Sequence, residues 1–144
     1  MPDFNMPEDL YYHPETHLWV RVEGDLVRVG LDDMAQYSAR AIANIRLKPP
    51  GRPIAKDRPF GTMEAGKYVG PLNLPVAAKV IEINEEVITN PKIANSDPYN
   101  TGWLVLAEPE NLARDLPMLV HGEAVRDWVA KHVADWTARG IIKP

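Results

Sequence analysis

Fourteen prolines are scattered from Pro2 to Pro144, and no other feature limits the available folds as much. Each fixes φ and removes a backbone donor, so proline breaks helix interiors and enters sheets only at edges, strand starts or bulges. The chain is steered toward short strands and turns. The hydrophobic pattern agrees. Trp19 to Glu23 alternates, Gly24-Asp25 marks a turn, and Leu26 to Leu31 alternates back, which predicts a hairpin. Asp32 or Asp33 is placed to cap a short helix through Met34, Tyr37 and Ser38. Ile42 to Leu47 alternates again and Pro49-Pro50-Gly51 ends it. Residues 52–58 read as a polar connection, 75–84 as a strand holding Val76, Val80 and Ile83, and 102–107 as a last apolar strand. Residues 1–14 form an irregular arm broken by Pro2, Pro7 and Pro14. Val125, Trp128, Val129, His132, Val133 and Trp136 fall on one helical stripe, which predicts a helix over 122–140 with Gly140 as its stop. The expected architecture is one domain over 1–144. It is mainly β, an antiparallel β-sandwich or flattened barrel with a short helix and an extra C-terminal helix at its edges.

Composition narrows the function. The chain has a net charge of −4 and no basic patch, which argues against a nucleic-acid partner. It has no cysteine, so disulfides, thiolate catalysis and zinc–thiolate sites are excluded and any redox role must come from an attached group. No apolar run reaches membrane-spanning length and the N-terminus lacks signal-peptide character, so a cytoplasmic protein is expected. There is no paired acid and base, no nucleophile motif and no phosphate loop, so an enzyme is not expected.

Lys67 is the candidate functional residue. It sits in Phe60-Gly-Thr-Met-Glu64-Ala-Gly66-Lys67-Tyr68, between two segments that read as strands. Acylation of its amine would remove the charge and create a long apolar tether. A hairpin tip suits that role, because it exposes the amine to a modifying ligase while fixing the backbone beneath it. Gly66 is expected to supply the positive φ that such a tip often needs. Glu64, three residues earlier, is expected to help a ligase choose this lysine.

Several separated blocks then resemble the H proteins of the glycine cleavage system, over about residues 11–110. His17-Leu-Trp19-Val is similar to the family's His-Glu-Trp-Val, and Gly24-Asp25 with Val29-Gly30-Leu31 to its Gly-Asp and Val-Gly-Ile. Phe60-Gly61 and Glu64-Ala-Gly-Lys67 fall where the family has Phe-Gly and Glu-Ser-Val-Lys. Pro75-Val76 and Val80-Ile-Glu82-Ile-Asn84 resemble its Pro-Val and Val-Val-Glu-Val-Asn. Asn95-Ser-Asp-Pro-Tyr-Asn-Thr-Gly-Trp-Leu-Val resembles Asn-Glu-Asp-Pro-Tyr-Gly-x-Gly-Trp-Leu-Val. Biotin carriers have methionine on both sides of the lysine, and lipoyl domains of dehydrogenase complexes have Asp-Lys-Ala, neither of which is present. The resemblance implies a lipoyl/biotinyl hammerhead-like fold, lipoate amide-linked to Lys67, a lipoate–protein ligase or lipoyl-transfer enzyme as partner, and a non-catalytic swinging arm.

The chain departs from that pattern at particular places. Ala65-Gly66 replaces Ser-Val, Tyr68 replaces Ala, Ala78 replaces Gly, and Arg40-Ala41-Ile42 replaces Gly-Asp-Ile. A helix with Trp128 and Trp136 extends the C-terminus. These departures are similar to the lipoate-binding branch of sulfur oxidation, which implies work with a heterodisulfide-reductase-like complex. The alternatives are an H protein carrying an aminomethyl group among glycine cleavage enzymes, and an unmodified interaction module. In either pathway the dithiolane accepts a group by ring opening and is restored by thiol–disulfide exchange. His13 and His17 are four apart, but Pro14 and the following strand argue against one helical metal face, so no metal is expected. His132 reads as a packed histidine, and Trp128 and Trp136 as anchors of the last helix. Asp32, Asp33, Glu82, Glu85 and Glu86 are candidates for an acidic rim around the arm.

Overall fold

The computed structural model describes residues 3–143. Its strands are β1 (Tyr11–Tyr12), β2 (Leu18–Glu23), β3 (Leu26–Leu31), β4 (Ile42–Leu47), β5 (Pro53–Ile54), β6 (Pro59–Ala65), β7 (Val69–Asn73), β8 (Ala78–Ile83), β9 (Val105–Pro109) and β10 (Val120–His121). Two antiparallel sheets result. The larger has the order β10-β1-β2-β3-β9-β8-β5 and the smaller β4-β6-β7. They remain two sheets and do not close into a barrel. The prolines fall where the ladder tolerates them. Pro59 opens β6, Pro109 ends β9, and Pro53 and Pro71 lie in β5 and β7, each at a sheet edge.

The strand alternation builds the core. Val20, Val27, Val29, Ile45, Phe60, Leu74, Val76 and Leu104 are all buried between the sheets. Truncating Ile45 to alanine in such a core would cost about 2–5 kcal/mol. Gly30 in β3 is required by a close approach, since a β-carbon there would lie 2.6 Å from the Trp19 ring. That indole is fully buried and donates to the Pro98 carbonyl at 3.0 Å.

Among the described residues, five α-helices, more than the sequence signals indicate, accompany the strands: α1 (Asp33–Ala39), α2 (Glu85–Thr89), α3 (Ile93–Ser96), α4 (Leu112–Asp115) and, after the last strand, α5 (Ala124–Ala138). The middle three have at most five residues, too short for a hydrophobic period to register. Two start on asparagine caps, Asn84 for α2 and Asn111 for α4. The expected irregular arm 1–14 contains β1, whose Tyr12 is fully buried and which pairs with β2 on one side and β10 on the other. The expected connection 52–58 contains β5. The last helix is shorter than 122–140, because Gly122 and Gly140 take φ of 70° and 79° and bound it from outside. Pro2 and Pro144 lie outside the described residues.

Candidate functional site

The tip of the β6–β7 hairpin is built by long-range hydrogen bonds. Glu64 pairs with Val69, and the Ala65 amide donates to the Tyr68 carbonyl at 2.7 Å, closing the turn around Gly66 and Lys67. The Gly66 amide then donates to Ala41 O at 3.1 Å and the Lys67 amide to Ala39 O at 2.9 Å. The tip is thus tied by its backbone to the corner between α1 and β4. That corner is held in turn. Asp32 caps α1 by accepting from the Ala35 amide at 2.8 Å, and Asn95 of α3 clamps the far end. Asn95 Oδ1 accepts from the Ile42 amide at 2.9 Å, and its Nδ2 donates to Arg40 O at 2.9 Å. Each such bond contributes a net ~0.5–1.5 kcal/mol. Above this base the Lys67 side chain is exposed. Tyr68, 39% exposed, folds back and donates to Pro71 O at 2.6 Å, and partial burial pushes its phenol above the ordinary range.

Gly66 does not take a positive φ, contrary to the sequence expectation. Its role is clearance: a β-carbon there would stand 3.3 Å from the β-carbon of Arg40. Arg40, by contrast, holds φ 67° and ψ −158° at the end of α1. A residue with a side chain is strained there by about 1–3 kcal/mol. The arrangement explains two departures at once. Where the resembling family carries Gly at the corner and Val before the lysine, this chain carries Arg40 at the corner and Gly66 before the lysine, so the bulk sits on the other side of one contact.

A pocket of about 760 Å³ opens beside Lys67. Leu18, Leu31, Met63 and Leu72 supply apolar walls from both sheets, while Trp136 and Ile141 close the side toward the C-terminus. Behind it lies a buried polar chain. Asp32 Oδ2 accepts from His17 Nδ1 at 2.7 Å, and His17 Nε2 lies 2.9 Å from Nδ1 of His132 on α5. The His17 ring stacks on Trp128 at 4.6 Å and meets Trp136 at 5.0 Å. Burial pushes the Asp32 carboxyl up, against the pull of His17 and the α1 amides. Burial also pushes His132 down, helped by the neighbouring His17 and Lys131 and opposed by Asp135.

The remaining sequence candidates are spread apart. Glu64 is exposed one residue below the turn. His13 and His17 serve different acids, His13 Nε2 contacting Asp57 Oδ1 at 3.0 Å. Asp32 is fully buried, and none of Asp33, Glu82, Glu85 and Glu86 lines the pocket beside Lys67, so these five carboxylates do not form a rim around it. Among the described residues there is no group of three or more His, Cys, Asp or Glu side chains placed to hold a metal, and no helix is long and apolar enough to cross a membrane. Sequence reasoning missed Asn95 and Arg40. Their one signal was position, Asn95 opening a quoted block and Arg40 replacing a glycine. The site offers an exposed primary amine on a rigid base beside an apolar pocket, with both His17 nitrogens already engaged.

Comparison with known proteins points the same way. A sequence model described as "Glycine cleavage H-protein" matches residues 10–132. The protein named glycine cleavage system H protein 3 of Aquifex aeolicus is 40% identical over 135 residues, covering 91% of this chain and 84% of that one. Glycine cleavage system H protein 2 of the same organism is 43% identical over 119 residues, covering 82% and 74%. The crystal structure of a glycine cleavage system H protein from Mycobacterium marinum has the same fold, with a TM-score of 0.76 at 23% identity, covering 88% of this chain and 98% of that one.

Proposed function

The chain belongs to the glycine cleavage H-protein family, and on that premise we propose that Lys67 carries its lipoyl group and serves glycine cleavage, passing an aminomethyl group between enzymes. Members of this family are non-catalytic carriers of lipoate attached covalently to a lysine, with glycine cleavage enzymes and lipoyl ligases as partners. The residues present fit the group. Lys67 offers its amine to solvent, two amide hydrogen bonds fix its backbone, and the adjoining pocket accepts an apolar chain. When attached, the dithiolane supplies reversible ring opening by thiol–disulfide exchange. The protein's own part is positional: it presents one lysine on a rigid turn, with Glu64 and Gly66 forming the surface that a lipoate–protein ligase or lipoyl-transfer enzyme would meet.

The observation that carries this reading is the double tether of Gly66 and Lys67 to the α1–β4 corner. The sequence-based preference for sulfur oxidation with a heterodisulfide-reductase-like complex gains no support, since the family and the relatives compared bear glycine cleavage names. Two of the departures behind it, Gly66 and Arg40, have a packing explanation as partners in one contact.

Intact mass after treatment with lipoate and a lipoate–protein ligase tests the attachment. One lipoyl increment is expected, absent in Lys67→Ala. An unmodified chain with every ligase tried, or an increment surviving in the variant, would overturn it. Loading by glycine decarboxylase, compared with reaction of the reduced protein with a sulfane-sulfur donor, tests the carried group. Loading only by the sulfur donor would overturn the aminomethyl reading.

A further inference from the structure

We propose that the outer face of the β4-β6-β7 sheet, with the cations at its far end from Lys67, is a docking face for an acidic protein surface, that of an enzyme served by the arm. The choice of enzyme rests on the carrier reading, and the face itself does not.

The chain has a net charge of −4, yet residues 46–58 hold five of its 16 Lys and Arg side chains and one of its 20 Asp and Glu. The average conceals this cluster, which corrects the expectation of no basic patch. Its cations are also unpaired. Arg21, Arg28, Arg114, Arg126 and Arg139 are in ion pairs, and Arg40 lies over the Tyr37 ring. Arg46, Arg52 and Arg58, all exposed, are the arginines left without a side-chain partner among the described residues.

The sheet register gathers three of these cations. Arg46 and Lys48 are two apart and exposed on β4, so they share its outer side. Arg46 pairs with Thr62 of β6, which pairs with Pro71 of β7. The Lys48 amide donates to Phe60 O at 2.9 Å, which sets Lys48 beside the start of β6, where Arg58 precedes Pro59. Toward the turn, Glu64 pairs with Val69. Thr62, Glu64, Val69 and Pro71 are all exposed, Val69 by 77%. The inner side of this sheet is core and its outward residues meet solvent. At about 3.3 Å per residue, Arg46 lies about 10 Å below the turn that carries Lys67. Of the carboxylates nearest in the chain, Asp57 is engaged by His13 and Lys56, and Glu64 lies on the turn side of the cations.

This chemistry selects the occupant. Guanidinium groups bind carboxylates through paired hydrogen bonds. Val69 and Pro71 add an apolar centre between the cations and the lysine, the layout of a protein–protein interface. A nucleic acid would meet the same cations, but its phosphates gain nothing from Val69 and Pro71, and the rest of the chain is strongly negative and repels an extended polyanion. An enzyme seated on this face lies beside Lys67 without covering it.

The lipoylated carrier, assayed with each glycine cleavage enzyme of the same organism, tests the proposal. With at least one enzyme, kcat/KM should fall about tenfold as NaCl rises from about 0.02 to about 0.5 M. Arg46→Glu with Arg58→Glu should raise KM for the carrier at least tenfold with kcat little changed, and should remove most of the salt dependence. Lys92→Glu with Lys131→Glu, the same charge change elsewhere, should have little effect. Intact mass checks that each carrier is fully lipoylated and circular dichroism that it is folded. No change in KM with any enzyme, or equal changes in the two double variants, would overturn the inference while leaving the carrier reading intact. If no glycine cleavage enzyme loads the wild type, the carrier reading fails instead, and NMR titration with a polyglutamate peptide decides the face. Amide shifts centred on Arg46, Lys48, Arg58 and Thr62 would support it. No shifts there, or tighter binding of an RNA oligonucleotide at the same residues, would overturn it.

Discussion

The two main hairpins carry similar turn sequences and hold their tips by opposite means. Between β2 and β3, Gly24 takes φ 64° and a β-carbon there would meet nothing within 4 Å. That tip is a local solution, set by conformational preference alone. Between β6 and β7, Gly66 has no positive φ, faces Arg40, and shares with Lys67 two hydrogen bonds to a corner more than twenty residues earlier in the chain. A glycine at a hairpin tip therefore has two unrelated meanings, torsional freedom in one and room for a neighbour in the other. Only the second kind positions a side chain against the rest of the molecule.

The sharpest contrast lies in modification. Lys67→Arg should abolish the lipoyl increment in intact mass while leaving the unfolding midpoint almost unchanged, because an exposed substitution usually shifts stability by no more than about 0.5 kcal/mol. A lysine placed at the other tip, by Asp25→Lys, should stay unmodified, and lipoylation there would break the distinction between the tips. Next in size, Asn95→Ala leaves the Ile42 amide without its partner. Urea unfolding should show a loss of about 2 kcal/mol, together with slower lipoylation. A loss without slower lipoylation would separate the corner from the lysine.

Glycine replacement probes the tips directly. Gly24→Ala should cost about 1 kcal/mol through its torsion, and Arg40→Gly should not rescue it. Gly66→Ala should cost a similar amount through contact with Arg40, and Arg40→Gly should recover it, giving a coupling of about 1 kcal/mol in a double-mutant cycle. Additive effects would show that the two residues do not share one contact. The smallest effect is pH dependence. His132 is held below its ordinary value, so the folded state binds fewer protons than the unfolded one, and its contribution is present above the unfolded pKa of about 6.5 and lost as pH falls below it. Unfolding at successive pH values should show stability declining as pH falls below that value, less steeply in His132→Gln, whereas Gly24→Ala should keep the full slope.

The same contrast explains what the sequence disclosed. Features fixed by neighbours in the chain were legible: the alternation of β2 and β3, the Asp32 cap, and the spacing of Trp128, His132 and Trp136 on one helical stripe. Lys67 was legible as a hairpin residue from its flanking strands. Features fixed across the chain were not. Asn95 reaches back to Arg40 and Ile42, and His17 meets His132 from the far end of the sequence. β1 and β10 have two residues each and exist because they pair with each other and with β2, so no periodicity announces them. Gly66 was misread because torsion is a local property, whereas its actual neighbour, Arg40, is brought to it by the fold.

The tie between the Lys67 amide and Ala39 O has a consequence for the choice of partner. With its Cα held in place, the end of a lipoylated side chain is confined within a shell whose radius is the arm's full extension from a single point. An enzyme whose reacting centre lies beyond that shell when it is docked gains nothing from the tether, however tightly it binds, because effective concentration falls to near zero once a linker cannot span its sites. Two amide hydrogen bonds thereby make partner selection partly a question of distance.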